Sequence, residues 1–268
     1  MTGVAVAMGI ISAGCGGAPP RNEEPPKPAE LSIHVPCVLS GPMQKVVSAY
    51  ESQHEGVNIR VLVDKPMAML ESVPLSADTA GVAITLGDRE MRALTEAGAV
   101  RPADVVDIAV NTYPIVVVAA AEAIPGVQSV TDLTSPEVRA IAIEDPSKSS
   151  LGDRTETAFQ AMGLWDKIAP KVVRLDPDAM VLGALLDGTA DAAVIFRDCL
   201  FGESGGNPPK TIRIIGELPS GGLAPIIYQA APLSGTPDRD EAHAFVHFLT
   251  SPSGREALGA AGLNVKTE

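Results

Sequence analysis

The stretch Val105-Val106-Asp107-Ile108-Ala109-Val110-Asn111-Thr112-Tyr113-Pro114-Ile115-Val116-Val117-Val118-Ala119-Ala120-Ala121 decides the fold. It is apolar and β-branched, but Asn111 and Pro114 break it short of the ~20 residues that span a bilayer. Two short strands passing from one body of the chain to another fit it better. Before it, β-branched runs at Leu31 to Val35, Val57 to Val63 and Val82 to Leu86 alternate with helical spacing over Met43 to Glu51, Pro66 to Val73 and Asp88 to Ala97. After it the alternation restarts: strands at Ala140 to Ile143, Lys171 to Leu175 and Ala192 to Phe196, helices at Gly152 to Leu164 and Ala179 to Leu186. Thr211 to Ile215 and Pro225 to Ala230 read as further strands, the second as the return crossing. Pro237 to Leu249 and Pro252 to Ala260 read as closing helices, each with Pro in its first turn. The expectation is an α/β chain of two lobes, each a mostly parallel sheet flanked by helices, joined by crossing strands around a cleft that suits a small ligand.

Composition narrows the function classes. With 46% hydrophobic residues in 268, the chain has enough apolar side chains for one or two cores. Lys plus Arg number 20 against 33 Asp plus Glu, giving a net charge of −13. No basic run is present, so nucleic acid is excluded as a partner. Aromatics at 3% argue against a carbohydrate-stacking surface. There is no Gly-x-Ser-x-Gly elbow, no phosphate loop and no dinucleotide fingerprint, and Gly202-Glu203-Ser204-Gly205-Gly206 reads as a turn-rich loop. An enzyme is therefore not expected. His243 and His247 stand four residues apart, but Ala244 occupies the place where a zinc protease has Glu, so they are read as a helix face.

Three cysteines, Cys15, Cys37 and Cys199, are too few for a disulfide scaffold and odd in number. The apolar run Val4 to Ile11 followed by Ser12-Ala13-Gly14-Cys15 resembles a bacterial lipoprotein signal peptide, in which Cys15 would be lipidated. Pro19, Pro20, Pro25, Pro26 and Pro28 among charges then read as an extended tether. Residues 1–30 are taken as signal and tether, 31–110 with 231–268 as lobe 1, and 111–230 as lobe 2, with hinge strands near 111–118 and 225–230. The expected location is the periplasm or cell envelope, lipid-anchored to the membrane.

Several segments, in order, resemble the periplasmic molybdate-binding proteins of ABC importers, within the type II periplasmic binding protein fold. They are Asn111 to Val118, Thr131-Asp132-Leu133, Ile141 to Pro146, Gly163-Leu164-Trp165-Asp166-Lys167 with Pro170 to Val173, Gly188 to Arg197, and Phe248 to Pro252. The resemblance implies a monomeric receptor that needs no cofactor, captures molybdate or tungstate between its lobes, and delivers this small inorganic ligand to an ABC permease and its ATPase. That family holds its oxyanion with hydroxyls and backbone N–H groups at helix N-termini, where free donors and the helix dipole favour anions. Carried over, its first loop falls at Cys37, Val38 and Ser40, where only Ser40 keeps a hydroxyl. The second falls at Asp64 and Lys65, with no serine and an acid that opposes an anion. The third falls at Ser149, Ser150 and Leu151, the fourth near Asp178 and Ala179, and the family's tyrosine is replaced by Phe196.

The departures bring their own pattern, because Pro36-Cys37 and Arg197-Asp198-Cys199 both fall in loops that line the cleft in this fold. Three readings stay open for the pair: small buried hydrophobes, a disulfide stapling the lobes, or thiolates receiving a soft metal or thiophilic solute, with Met43, Met67 and Met69 nearby. A non-transporting lipoprotein or enzyme reusing the fold is the remaining alternative.

Overall fold

A computed structural model describes residue 3 and residues 29–63, 81–112, 114–176, 181–200 and 210–265. Cys15, the helix expected at Pro66 to Val73, Met67, Met69 and the loop at Gly202 to Gly206 lie outside the described residues.

The first sheet has the order β2-β1-β3-β10-β4. Strand β1 (Ala29–Val35) pairs parallel with β2 (Val57–Val63) and with β3 (Val82–Thr85), while β10 (Ile227–Pro232) runs antiparallel to both β3 and β4 (Val106–Val110). Helix α1 (Ser40–Glu51) joins β1 to β2 and buries Met43, Val46, Val47 and Tyr50, the spacing read from the sequence. Helix α2 (Asp88–Glu96) follows β3; the chain leaves it through Gly98, whose φ of +75° suits a residue without a side chain. Helices α6 (Arg239–Thr250) and α7 (Pro252–Ala260) pack behind this sheet. Pro252 opens α7 as expected, but Pro237 precedes α6 instead of lying in its first turn. Tyr50 sits edge-on to Phe245 and Phe248, its hydroxyl donating to Glu241 at 2.5 Å.

The second sheet repeats the plan as β7-β6-β8-β5-β9. Here β6 (Ile141–Glu144) pairs parallel with β7 (Val172–Leu175) and β8 (Ala192–Phe196), and β5 (Ile115–Ala120) runs antiparallel to β8 and β9 (Ile212–Glu217). Helix α3 (Ser150–Ala161) and the single turn α4 (Trp165–Ile168) link β6 to β7, and α5 (Val181–Leu186) packs on β8. Each sheet is therefore mixed, four strands running one way and one against them. The crossings are the segments between β4 and β5 and between β9 and β10; β5 and β10 themselves are full members of the two sheets. No helix among the described residues is long and apolar enough to cross a membrane.

Candidate functional site

The sheets meet at their loops through two junctions. At the first, the loop after β1 turns as a 3-10 helix (Cys37–Leu39), and the loop after β8 does the same (Arg197–Leu200). Cys37 and Cys199 join them in a disulfide with Cα atoms 6.4 Å apart, inside the usual span for such a bond. This removes the thiolate reading: a sulfur bonded to sulfur has no lone thiolate for a soft metal. Met43, the described member of the methionine set, is buried in the core under α1. Among the described residues no three His, Cys, Asp or Glu side chains gather to hold a metal. Val38 and Ser40 are buried just beyond Cys37, and the Ser40 N–H closes the turn on the Cys37 carbonyl.

At the second junction α3 begins against α2. Ser149 caps α3, its Oγ accepting from the Gly152 N–H at 3.1 Å while its hydroxyl donates to the Glu144 carboxylate. Ser150, the first helical residue, does something the sequence did not reveal. Its N–H donates to one oxygen of the Glu90 carboxylate at 2.7 Å, and its Oγ–H donates to the other at 2.6 Å. Glu90 is only 2% exposed. Burial pushes its carboxyl above the usual glutamate range, the two Ser150 hydrogen bonds opposing that shift. The contact is close because Gly87 lacks a side chain: a Cβ there would come within 2.2 Å of the Ser150 Oγ. Arg89 and Asp153 form an ion pair at 2.5 Å on the rim. Leu151 points into the core. Asp64, Lys65, Asp178 and Ala179 lie outside the described residues.

Next to this junction is a cavity of ≈ 320 Å³ between the two crossing segments. Asn111, Thr112 and Ser220 give it polar groups, and Ile115, Phe196 and Leu223 give it an apolar wall. Phe196 thus faces a ligand-sized space, though without the hydroxyl of the family's tyrosine. Arg154 also lines it, one helical turn beyond Ser150 on the same face of α3. Part burial holds the Arg154 guanidinium below the usual arginine range, with neighbouring Asp153 acting in the other direction. Asp153 itself pairs with Arg89, and Glu217 on the cavity wall pairs with Arg197. Arg154 was missed in the sequence because it sits in the middle of a helix among other charges, where a solvated face is the ordinary reading.

A two-sheet α/β frame crossed twice, with helix starts and a cavity at the seam, is the frame of a solute receptor. The chain belongs to the bacterial extracellular solute-binding protein family, whose model matches residues 31–264. It is 22% identical over 258 residues to a Bacillus subtilis (strain 168) protein, YvgL, named as an ABC transporter substrate-binding lipoprotein, covering 96% of this chain and 94% of that one. Among solved structures it resembles the Azotobacter vinelandii periplasmic molybdate-binding protein, with TM-score 0.59 and 17% identity over 88% of this chain and 100% of that one. It also resembles a periplasmic thiamin-binding protein, with TM-score 0.55 and 15% identity over 89% and 84% of the two chains. The family consists of transport receptors, not enzymes, that serve a membrane permease and its ATPase from outside the cytoplasm. Neighbours named for molybdate and for thiamin share this fold, so the fold leaves the solute open.

Proposed function

We propose that this chain is the capture subunit of an ABC importer for a small oxyanion of the molybdate or tungstate class, taken at the seam between the two sheets. One observation carries the reading. The start of α3 already holds an acidic group: the two carboxyl oxygens of Glu90 rest on the Ser150 N–H and hydroxyl at 2.7 and 2.6 Å. A tetrahedral oxyanion offers the same pair of acceptors and gains from the same helix dipole. To enter, it displaces Glu90, and Ser40 at the start of α1 supplies a hydroxyl from the facing loop. Resemblance to a molybdate-binding neighbour supports the class of ligand. Lobes built on the two sheets would close by bending at the crossing segments, 111–114 and 218–226. A lipid at Cys15 would hold the receptor at the membrane beside its permease.

The test is thermal unfolding of the chain, disulfide intact, with molybdate, tungstate or sulfate. Ligand at about 100 times its dissociation constant adds about 2.7 kcal/mol, a rise of roughly 5–10 °C for a chain this size. Ser150→Ala and Ser40→Ala should each weaken binding by roughly 1–3 kcal/mol, the cost of a hydrogen bond to a charged group. No shift with any of the three anions would refute the reading.

A further inference from the structure

The cavity beside Arg154 has features that an inorganic oxyanion does not use. Its ≈ 320 Å³ falls in the range of small-molecule sites and exceeds what a single tetrahedral ion fills. Ile115, Phe196 and Leu223 offer such an ion nothing, since a hydrated anion gains no free energy against hydrocarbon. They would shelter the apolar body of an organic molecule. The charge balance is equally selective. Of the ionic groups on the wall, Glu217 is neutralised by Arg197, whereas Arg154 makes no ion pair among the described residues. A half-buried guanidinium without a counter-ion is costly, and a carboxylate is the group its planar fork fits. Pro114, Pro219 and Pro225 stiffen the walls, so little ordering is needed on binding.

We infer that this cavity is a second anion site of the receptor, taking a small monocarboxylic acid whose carboxylate pairs with Arg154 and whose hydrocarbon body lies against Ile115, Phe196 and Leu223. Asn111, Thr112 and Ser220 supply the polar contacts that orient it. The site uses neither Ser150 nor Ser40, although it borders the oxyanion position and shares Phe196 with the residues carried over from the molybdate binders. Its walls come from both crossing segments, so an occupant there touches the parts of the chain that any change of angle between the sheets must bend.

The test uses benzoate and isovalerate as probes and benzamide as the uncharged control, titrated into the chain by calorimetry and followed by thermal unfolding. At least one carboxylate should bind and raise the unfolding midpoint while benzamide does not. Arg154→Gln should weaken that binding by about ten-fold or more, and Arg154→Lys should restore part of it, with both variants unfolding like the parent when no ligand is added. A molybdate response should persist in all three chains. Absence of a response to either carboxylate at millimolar concentration overturns the inference. So does equal binding of benzoate and benzamide, or equal affinity in Arg154→Gln. A molybdate shift in the same experiments would leave the oxyanion reading standing.

Discussion

The two junctions across the seam are topological equivalents made of different chemistry. β1 and β6 hold the second place in their sheets, β3 and β8 the third. The loop after β1 meets the loop after β8 through Cys37 and Cys199; the loop after β6 meets the loop after β3 through Ser150 and Glu90. One tie is covalent and yields only to a reductant. The other is a pair of hydrogen bonds to a buried carboxylate, which a competing anion or a proton can disturb. A chain tied this way has one edge fixed by a covalent bond and one held by hydrogen bonds alone.

The largest effect expected comes from cutting the fixed edge. Cys37 and Cys199 are 162 residues apart in sequence, so their bond removes much of the freedom of the unfolded chain. Cys37→Ser with Cys199→Ser should lower stability by about 4 kcal/mol, read as a drop in the urea midpoint. The radius of gyration from small-angle scattering should rise as the seam parts. An unchanged midpoint would mean that the polar junction alone holds the sheets together.

Glu90→Ala comes next. It leaves the Ser150 N–H and hydroxyl buried without their acceptor, at a cost of about 2 kcal/mol by chemical denaturation. Glu90→Gln should behave differently, because the amide oxygen can still accept while the buried charge is gone. In the oxyanion reading it leaves the resident side chain in place but strips its negative charge, so molybdate should bind more tightly to Glu90→Gln than to the parent chain. Weaker binding would show that Glu90 belongs to the ligand shell.

The same carboxylate sets a pH dependence with a definite sign. Because burial raises its pKa, the folded chain keeps the Glu90 proton at higher pH than the unfolded chain does. Its contribution is therefore fully present below the ordinary glutamate range and is lost as pH rises through the raised value. Asp88 beside it pushes in the same direction. Asp191 behaves oppositely: burial raises it, but the Arg139 side chain and the Arg139 and Ala140 N–H groups outweigh that and hold it low, so its stabilisation is lost only as pH falls through that lowered value. Stability followed from pH 4 upward should decline in the parent chain and stay flatter in Glu90→Gln. Parallel profiles would remove Glu90 as the titrating group.

The frame was legible in the sequence because each element carries its own period and punctuation. Met43, Val46, Val47 and Tyr50 spell the buried face of α1, and Asn111 with Pro114 marks the passage between sheets. The segments that resemble the molybdate binders turn out to hold the frame. Asp132 accepts the Gln128 and Ser129 N–H groups at the start of a 3-10 turn, and Asp191 ties the start of β6 to the strand beside it. The site was less legible. Cys37 and Cys199 announced a relation whose nature needed their separation in space. Ser149 and Ser150 were marked by the loop they occupy, but Glu90 lies sixty residues away in a helix rich in charge, where nothing local sets one acid apart from Asp88. Long-range pairing and burial carry that information, and neither has a period.

The smallest effect expected is at the rim, and it tests what kind of tie the polar junction is. Arg89 and Asp153 are 2.5 Å apart, but their side chains are 28% and 49% exposed, so water and salt screen the pair. Arg89→Gln should cost under about 1 kcal/mol, and the cost should shrink further in molar salt. Glu90→Ala, whose loss lies in buried and unmet donors, should cost the same at low and high salt. If Arg89→Gln instead equals Glu90→Ala and both fade with salt, the junction is held by the attraction of α2 and α3 as charged surfaces. The Ser150 cradle would then be a consequence of closure and not its cause, and an incoming oxyanion would have to contend with the ion pair as well as with Glu90.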